Sequence, residues 1–253
     1  MTKAIILAAG EGSRLRPHTL DRPKCLVEVN GKSLLDHQLA VLRSFAIDPI
    51  AIVAGYMAAS LDRPDLNVHL NPQYAETNMV WTLFCAESEL SGELIVSYGD
   101  IVYSKEALAA LLASKHDISV IVDKQWEPYW RARFDNPLDD AETLKLAPDG
   151  RILEIGQKPQ SLKEIQGQYI GLMKFSAAGI DTLKDVFHGA RQAGSLGGKP
   201  VEKAYMTDLL QAIIDTGSRV HSVPIQGGWV EIDNAKDLGL DITRQRIGQI
   251  SAE

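Results

Sequence analysis

Apolar and polar positions divide the chain into two unlike halves. Residues 3–10, KAIILAAG, form a short continuous apolar run ended by Gly10. Such a run predicts a strand buried on both faces, since a half-exposed strand would alternate. Similar runs occur at 49–56 (PIAIVAGY), 93–100 (ELIVSYGD) and 118–124 (ISVIVDK), while NVHLNP at 67–72 reads as a strand exposed on one face. Between them lie helical patterns at 33–47, opened by Ser33 as a candidate cap, at 77–90, opened by Thr77, and at 104–115. This alternation predicts an α/β fold, Rossmann-like, with a mostly parallel mixed sheet flanked by helices.

From about residue 125 the pattern changes. Aromatics, prolines and an Asp-Gly pair predict an inserted hairpin region, of which 125–143 is a candidate lid. A strand is expected at 167–176, a helix at about 177–190 and a flexible stretch at 191–200. A helix at 201–217, two short strands within 219–233 and a charged closing helix follow. No repeat, low-complexity tract or dividing linker is evident, so 1–253 reads as one domain.

Composition narrows the chemistry. The 253 residues carry a formal net charge of −7 with 45% hydrophobic positions, which argues against a nucleic-acid binder and against disorder. Cys25 and Cys85 are the only cysteines, and the run at 4–9 is too short for a leader or a membrane span, so a reduced, cytoplasmic protein is expected. The six histidines form no metal-type spacing.

Against that acidic background, AAGEGSRLRPHTLDRPKCL (8–26) holds four basic residues, Arg14, Arg16, Arg22 and Lys24, and two acidic ones. A glycine-punctuated turn after a strand exposes backbone N–H groups that favour phosphate. Arg14 would add a forked donor and Lys24 a point charge on a flexible stem; Arg16 and Arg22 read as surface charges. GxxxxGK[ST] is absent, and G-E-G-S-R is not GxGxxG. The loop and Asp100 both fall at carboxyl ends of expected strands, where open α/β sheets take ligands.

LAAGEGSRLRPHTLDRPKCLVEVNGKSLLDHQ (7–38) resembles the signature of the nucleotidyltransferases that activate small phosphorylated metabolites: L-A-A-G-x-G-x-R-L, then P-x-T, then P-K-x-L. Ser33 stands where proline is usual. YGD (98–100), IGQKP (155–159), YIGLMKFS (169–176) and WVEID (229–233) resemble later parts of these enzymes, and TNMVWTL (77–83) resembles the phosphocholine cytidylyltransferase branch.

The resemblance implies a GT-A-like fold, with a nucleotide-binding half at about 1–124 and an acceptor-binding half at about 125–253. It also implies CTP and Mg²⁺. Leu7, Ala8, Ala9 and Gly10 would hold ribose and base, together with Tyr98 and Gly99. Gly12, Ser13 and Arg14 would take the leaving phosphates, and Lys24 the charge developing at the α-phosphate. Asp100 and Asp233 would carry the metal, with Glu231 on metal or acceptor. Asn78 and Thr82 are candidate readers of cytosine. Trp126, Trp130, Lys158, Tyr169, Trp229 and Glu231 are candidates for the acceptor, the rings as a cage for a quaternary ammonium with Glu127, Glu231 or Asp208 supplying charge. The acceptor is expected to be phosphocholine, an aminoalkylphosphonate or a similar small molecule, without nucleic acid or membrane, and a homodimer is possible. A sugar-1-phosphate uridylyl- or thymidylyltransferase and a non-catalytic nucleotide-binding regulator are the alternatives.

Overall fold

A computed structural model describes residues 1–252. In chain order the strands are β1 Lys3–Ala8, β2 Glu28–Val29, β3 Lys32–Ser33, β4 Ile50–Ala54, β5 Asn67–Leu70, β6 Leu94–Tyr98, β7 Ile101–Tyr103 and β8 Ile118–Asp123. They continue as β9 Leu144–Leu146, β10 Ile152–Ile155, β11 Gln168–Phe175, β12 Ser195–Leu196, β13 Lys199–Pro200, β14 His221–Ile225 and β15 Trp229–Glu231. The α-helices are α1 Leu34–Ser44, α2 Met79–Phe84, α3 Lys105–Ala113, α4 Trp126–Arg133, α5 Ala177–Ala193, α6 Met206–Asp215, α7 Ala235–Gly239 and α8 Asp241–Ala252.

Seven strands form the central sheet in the order β14-β8-β11-β6-β1-β4-β5. Every neighbouring pair is parallel except those made by β11, which runs antiparallel to both β6 and β8. The sheet is therefore mixed and mostly parallel, as the apolar runs predict. Its central strands are buried on both faces because alternate residues feed two cores. Ala4, Ile6 and Ala8 of β1 pack with α1, α3 and α4, and Ile5 and Leu7 with α2, α5 and α6. A five-residue apolar core on β1 removes enough surface from water to fix its register without any polar side chain.

Local capping sets several boundaries. The Ser33 hydroxyl accepts from the Asp36 backbone at 3.0 Å and caps α1, which gives the residue that replaces the usual proline a structural purpose. Ser104 and Ser176 cap α3 and α5 in the same way, and Gly194 closes α5 in the left-handed conformation.

Four expectations are corrected. The segment from 125 opens with a helix, α4, and only β9 and β10 form a hairpin there. Trp126, Tyr129, Trp130 and Arg133 bury one helical face, whereas prolines and turn residues obscure that spacing in the sequence. The helix expected at 77–90 is α2 followed by a short 3₁₀ turn, and its cap is Asn78, not Thr77. The helix expected at 201–217 begins at Met206 after a 3₁₀ turn, and the stretch expected to be flexible forms the β12–β13 hairpin.

Candidate active site

The carboxyl end of β1 opens into a cleft of about 360 Å³. Leu7, Ala8, Ala9 and Gly10 form one wall, followed by Gly12, Ser13 and Arg14 of the opening loop. Gly12 is required there on two counts. Its φ is 66°, and a Cβ would lie 2.9 Å from Cβ of Lys24, closer than real side chains tolerate. The Gly12 carbonyl accepts from the Leu15 backbone and the Thr19 hydroxyl, each at 2.9 Å, which folds the loop back toward Lys24.

Lys24 lies in a 3₁₀ turn, Lys24–Leu26, after Pro23. Its ammonium donates to Asp100 Oδ2 at 2.7 Å and to Asp233 Oδ1 at 2.8 Å. Arg14 joins from the loop, donating to Asp233 Oδ1 at 2.7 Å. Residues 76 and 209 positions from Lys24 thus meet on one nitrogen. Burial by itself lowers the Lys24 pKa, but the two carboxylates outweigh it and hold the ammonium above its ordinary value. Burial likewise raises Asp233, while Lys24 and Arg14 pull it down; the net shift is downward.

Two pieces of backbone bring the aspartates together. Asp100 follows Gly99 at the end of β6, where a Cβ on Gly99 would meet the Leu7 carbonyl oxygen at 2.7 Å. Gln38, fully buried on α1, donates to the Tyr98 carbonyl and accepts from Ser97, bracing that strand end. Asp233 follows β15, which pairs antiparallel with β7 immediately after Asp100, and the Ile232 backbone donates to the Asp100 carbonyl at 2.9 Å.

A buried arginine that sequence reasoning missed supports this arrangement. Arg133 is 2% exposed and makes a two-pronged pair with Asp237, Nε to Oδ1 at 3.1 Å and Nη2 to Oδ2 at 3.2 Å. It also pairs with Glu231. Asp237 in turn accepts from the Asp233 backbone at 2.9 Å. Nothing local in RARFD marks Arg133; only its place on the buried face of α4 does.

The donors fit a hard divalent cation. Asp100 Oδ1 is buried with no hydrogen-bond partner, beside a second carboxylate, and Mg²⁺ favours such oxygen ligands while keeping several waters. Asp100 and Asp233 would hold it; among the described residues no group of three or more His, Cys, Asp or Glu forms a closed metal cage. Burial, together with Asp100 and Asp233, raises the Glu231 carboxyl, and Arg133 opposes this without cancelling it.

Asn78 and Thr82 line the cleft too, but both already have partners. Asn78 Oδ1 accepts from the Met79 backbone at 3.1 Å, and the Thr82 hydroxyl accepts from Asn71 at 3.0 Å. Tyr98 and Gly99 line the cleft beside Leu7 and Ala8, the Gly99 backbone donating to the Leu7 carbonyl at 2.8 Å.

A second cavity of about 180 Å³ adjoins the cleft and shares Met79, Tyr98, Asp140 and Glu231 with it. Trp130, Tyr169 and Trp229 line it, as their sequence positions suggest. Trp126 and Lys158 do not. Trp126, the first residue of α4, is buried in the core, and Lys158 is exposed, donating to the Leu138 and Asp139 carbonyls. Glu127 pairs on the surface with Arg131, and Asp208 with Lys199. The rings form a packed cluster rather than an open cage: Tyr129 stands edge-on to Trp130 and Trp229, with the guanidinium of Arg246 4.4 Å and that of Arg133 5.4 Å from its centroid.

Among the described residues no helix is long and apolar enough to cross a membrane. Comparison with known proteins agrees with the geometry. The chain is 40% identical to the CTP:phosphoglutamine cytidylyltransferase of Campylobacter jejuni subsp. jejuni serotype O:2, over 95% of this chain and 99% of that one. Its fold matches the CTP:phosphocholine cytidylyltransferase of Streptococcus pneumoniae with TM-score 0.74 at 22% identity, covering 96% and 98% of the two chains. It matches the inositol-1-phosphate CTP transferase of T. maritima with TM-score 0.76 at 22% identity, covering 99% and 96%. Residues 4–164 match the MobA-like NTP transferase domain. With its glycine loop, Lys24 and paired aspartates in one cleft, the chain belongs to the MobA-like NTP transferase domain family and is a nucleotidyltransferase.

Proposed function

We propose that the protein transfers CMP from CTP to a small phosphorylated acceptor in a Mg²⁺-dependent reaction that releases pyrophosphate. The observation that carries this reading is the convergence of Lys24, Arg14, Asp100 and Asp233 where β1 delivers the opening loop. CTP and a phosphorylated amino compound as substrates rest on the Campylobacter relative, named for CTP and phosphoglutamine. Phosphoglutamine therefore leads as acceptor, ahead of phosphocholine and aminoalkylphosphonates.

The acceptor phosphate is already ionised near neutral pH, so its oxygen attacks the α-phosphorus without a general base. The new O–P bond forms as the bond to the pyrophosphate oxygen breaks. The work left to the protein is alignment and charge neutralisation. The backbone from Leu7 to Gly10, with Tyr98 and Gly99, seats the nucleoside, and Gly12, Ser13 and Arg14 receive the departing phosphates. Lys24 places its ammonium against the α-phosphate as negative charge grows there. Asp100 and Asp233 would hold Mg²⁺, which when bound would supply hard positive charge to the site. Asn78 and Thr82 border the space for the base.

The test is pyrophosphate release with Mg²⁺, crossing CTP, UTP, dTTP, ATP and GTP with phosphoglutamine, phosphocholine, 2-aminoethylphosphonate and sugar 1-phosphates. Release confined to CTP with an amino-bearing acceptor is expected. Release with UTP or dTTP and a sugar phosphate would replace this reading with the sugar branch.

A further inference from the structure

The second cavity is lined by acidic side chains without basic ones: Asp140, Glu142 and Glu231 line it, and no Lys, Arg or His among the described residues does. Two of the three carboxylates are already committed. Asp140 accepts from the Trp130 indole at 3.2 Å, and Glu231 is paired with Arg133. Glu142 is not so committed: the Thr207 hydroxyl reaches it at a long 3.4 Å, and no cation among the described residues comes within ion-pair distance. Beside it, Gln168 is 6% exposed, and its amide oxygen is buried with no hydrogen-bond partner. A buried acceptor without a donor costs stability, so an open carboxylate and an orphaned amide oxygen on one cavity wall mark a place for N–H groups.

The two tryptophans of the lining do not offer the alternative. Trp130 and Trp229 are 3% and 1% exposed and tilt against each other at 5.9 Å. Trp130 also faces the Arg133 guanidinium at 5.2 Å. Rings occupied in this way do not form the open faces that a quaternary ammonium needs.

We propose that Glu142 and Gln168 form the seat for an N–H-bearing cation on the acceptor, and that this seat selects such a cation over a trimethylated one. The inference rests on the reading of the adjoining cleft as the site of cytidylyl transfer. A protonated amine gives one N–H to the Glu142 carboxylate and another to the Gln168 oxygen. A trimethylammonium has none to give and leaves the Gln168 oxygen unpaired, and loss of such a hydrogen bond discriminates strongly. The shared wall at Met79, Tyr98, Asp140 and Glu231 leaves the acceptor's phosphate free to extend toward Lys24.

Calorimetry tests this on the full chain with CTP present and divalent metal withheld. The probes are phosphoethanolamine and phosphocholine, which differ only by three methyl groups on nitrogen, and phosphoglutamine. Wild type is expected to bind phosphoethanolamine at least tenfold more tightly than phosphocholine. Glu142→Gln and Gln168→Leu should each weaken phosphoethanolamine and phosphoglutamine, the former by tenfold or more, with CTP affinity unchanged as evidence of an intact fold. Equal or tighter binding of phosphocholine, amine binding unaffected by Glu142→Gln, or no binding of either amine would overturn the proposal. Failure of CTP to bind while the amines still distinguish the variants would instead count against the transfer reaction.

Discussion

At Lys24, desolvation and charge act in opposite directions, and charge wins: two carboxylates at 2.7 and 2.8 Å keep the ammonium protonated at any working pH. It can therefore answer growing negative charge but cannot serve as a base. Lys24→Ala should lower kcat by about 10²–10³, the usual cost of removing a positioned charge donor. The melting midpoint measured with excess Mg²⁺ should stay close to wild type, and a near-normal kcat would remove Lys24 from this role. Glu142 gives a pH prediction. Burial pushes its carboxyl up to about 7; Thr207 lowers it, and Asp208 and Asp140 raise it further. Lys199 of β13 and Tyr98 and Tyr169 also face it. Only the ionised form pairs with a cation, so the acceptor KM should fall as pH rises from 6 to 8. Acceptor phosphates titrate in the same range, so the decisive quantity is the ratio of wild-type KM to that of Glu142→Gln. A ratio flat across that span would contradict the assignment. Lys24, Arg14, Asp100 and Asp233 were legible because they sit in or beside motifs. Glu142 and Gln168 were not, because nothing local distinguishes them until the fold brings the segment before β9 and the start of β11 to one cavity.

Among the elements, α4 and α7 lock the second acidic segment in place. Arg133 of α4 neutralises Glu231 of β15 and Asp237 of α7, and Asp237 holds the Asp233 backbone. Removing one partner from so buried a network leaves charge without compensation. Arg133→Met should therefore cost about 3–5 kcal/mol of stability, measured by denaturant unfolding. Loss of under 1 kcal/mol would mean that the carboxylates find other partners. The contact between β1 and β6 gives a second case. In Gly99→Ala the new methyl would press on the Leu7 carbonyl at 2.7 Å and the Ala8 Cβ at 3.1 Å. Both atoms belong to residues lining the cleft, so about 1–3 kcal/mol of destabilisation is expected, and the proposed nucleotide seat predicts a raised KM for CTP. The strands were easy to read because continuous apolar runs have few alternatives. The α4 region was harder, since Pro128 and the turn residues after Arg133 resemble hairpin punctuation while its buried face packs against Trp229 of distant β15 and Arg246 of α8.

At the scale of the whole molecule, Arg14 and Lys24 give the cleft two cationic side chains, whereas the adjoining cavity is lined by Asp140, Glu142 and Glu231 and, among the described residues, by no Lys, Arg or His. An acceptor with an anionic phosphate at one end and an ammonium at the other complements that polarity. The mostly parallel order of the sheet was readable from the alternation of strands and helices. The antiparallel insertion of β11 between β6 and β8 was not, because its eight buried residues look the same in either direction. It is this insertion that carries Gln168 and Tyr169 to the second cavity. In the proposed reaction an acceptor phosphate oxygen attacks the α-phosphorus of CTP. The most direct measurement places ¹⁸O in the acceptor phosphate and follows a single turnover with Mg²⁺ by ³¹P NMR. One ¹⁸O in the new bridging position of a CDP-linked product, with unlabelled pyrophosphate, is the predicted result. Label in the pyrophosphate, or CMP formed with the acceptor unchanged, would contradict it.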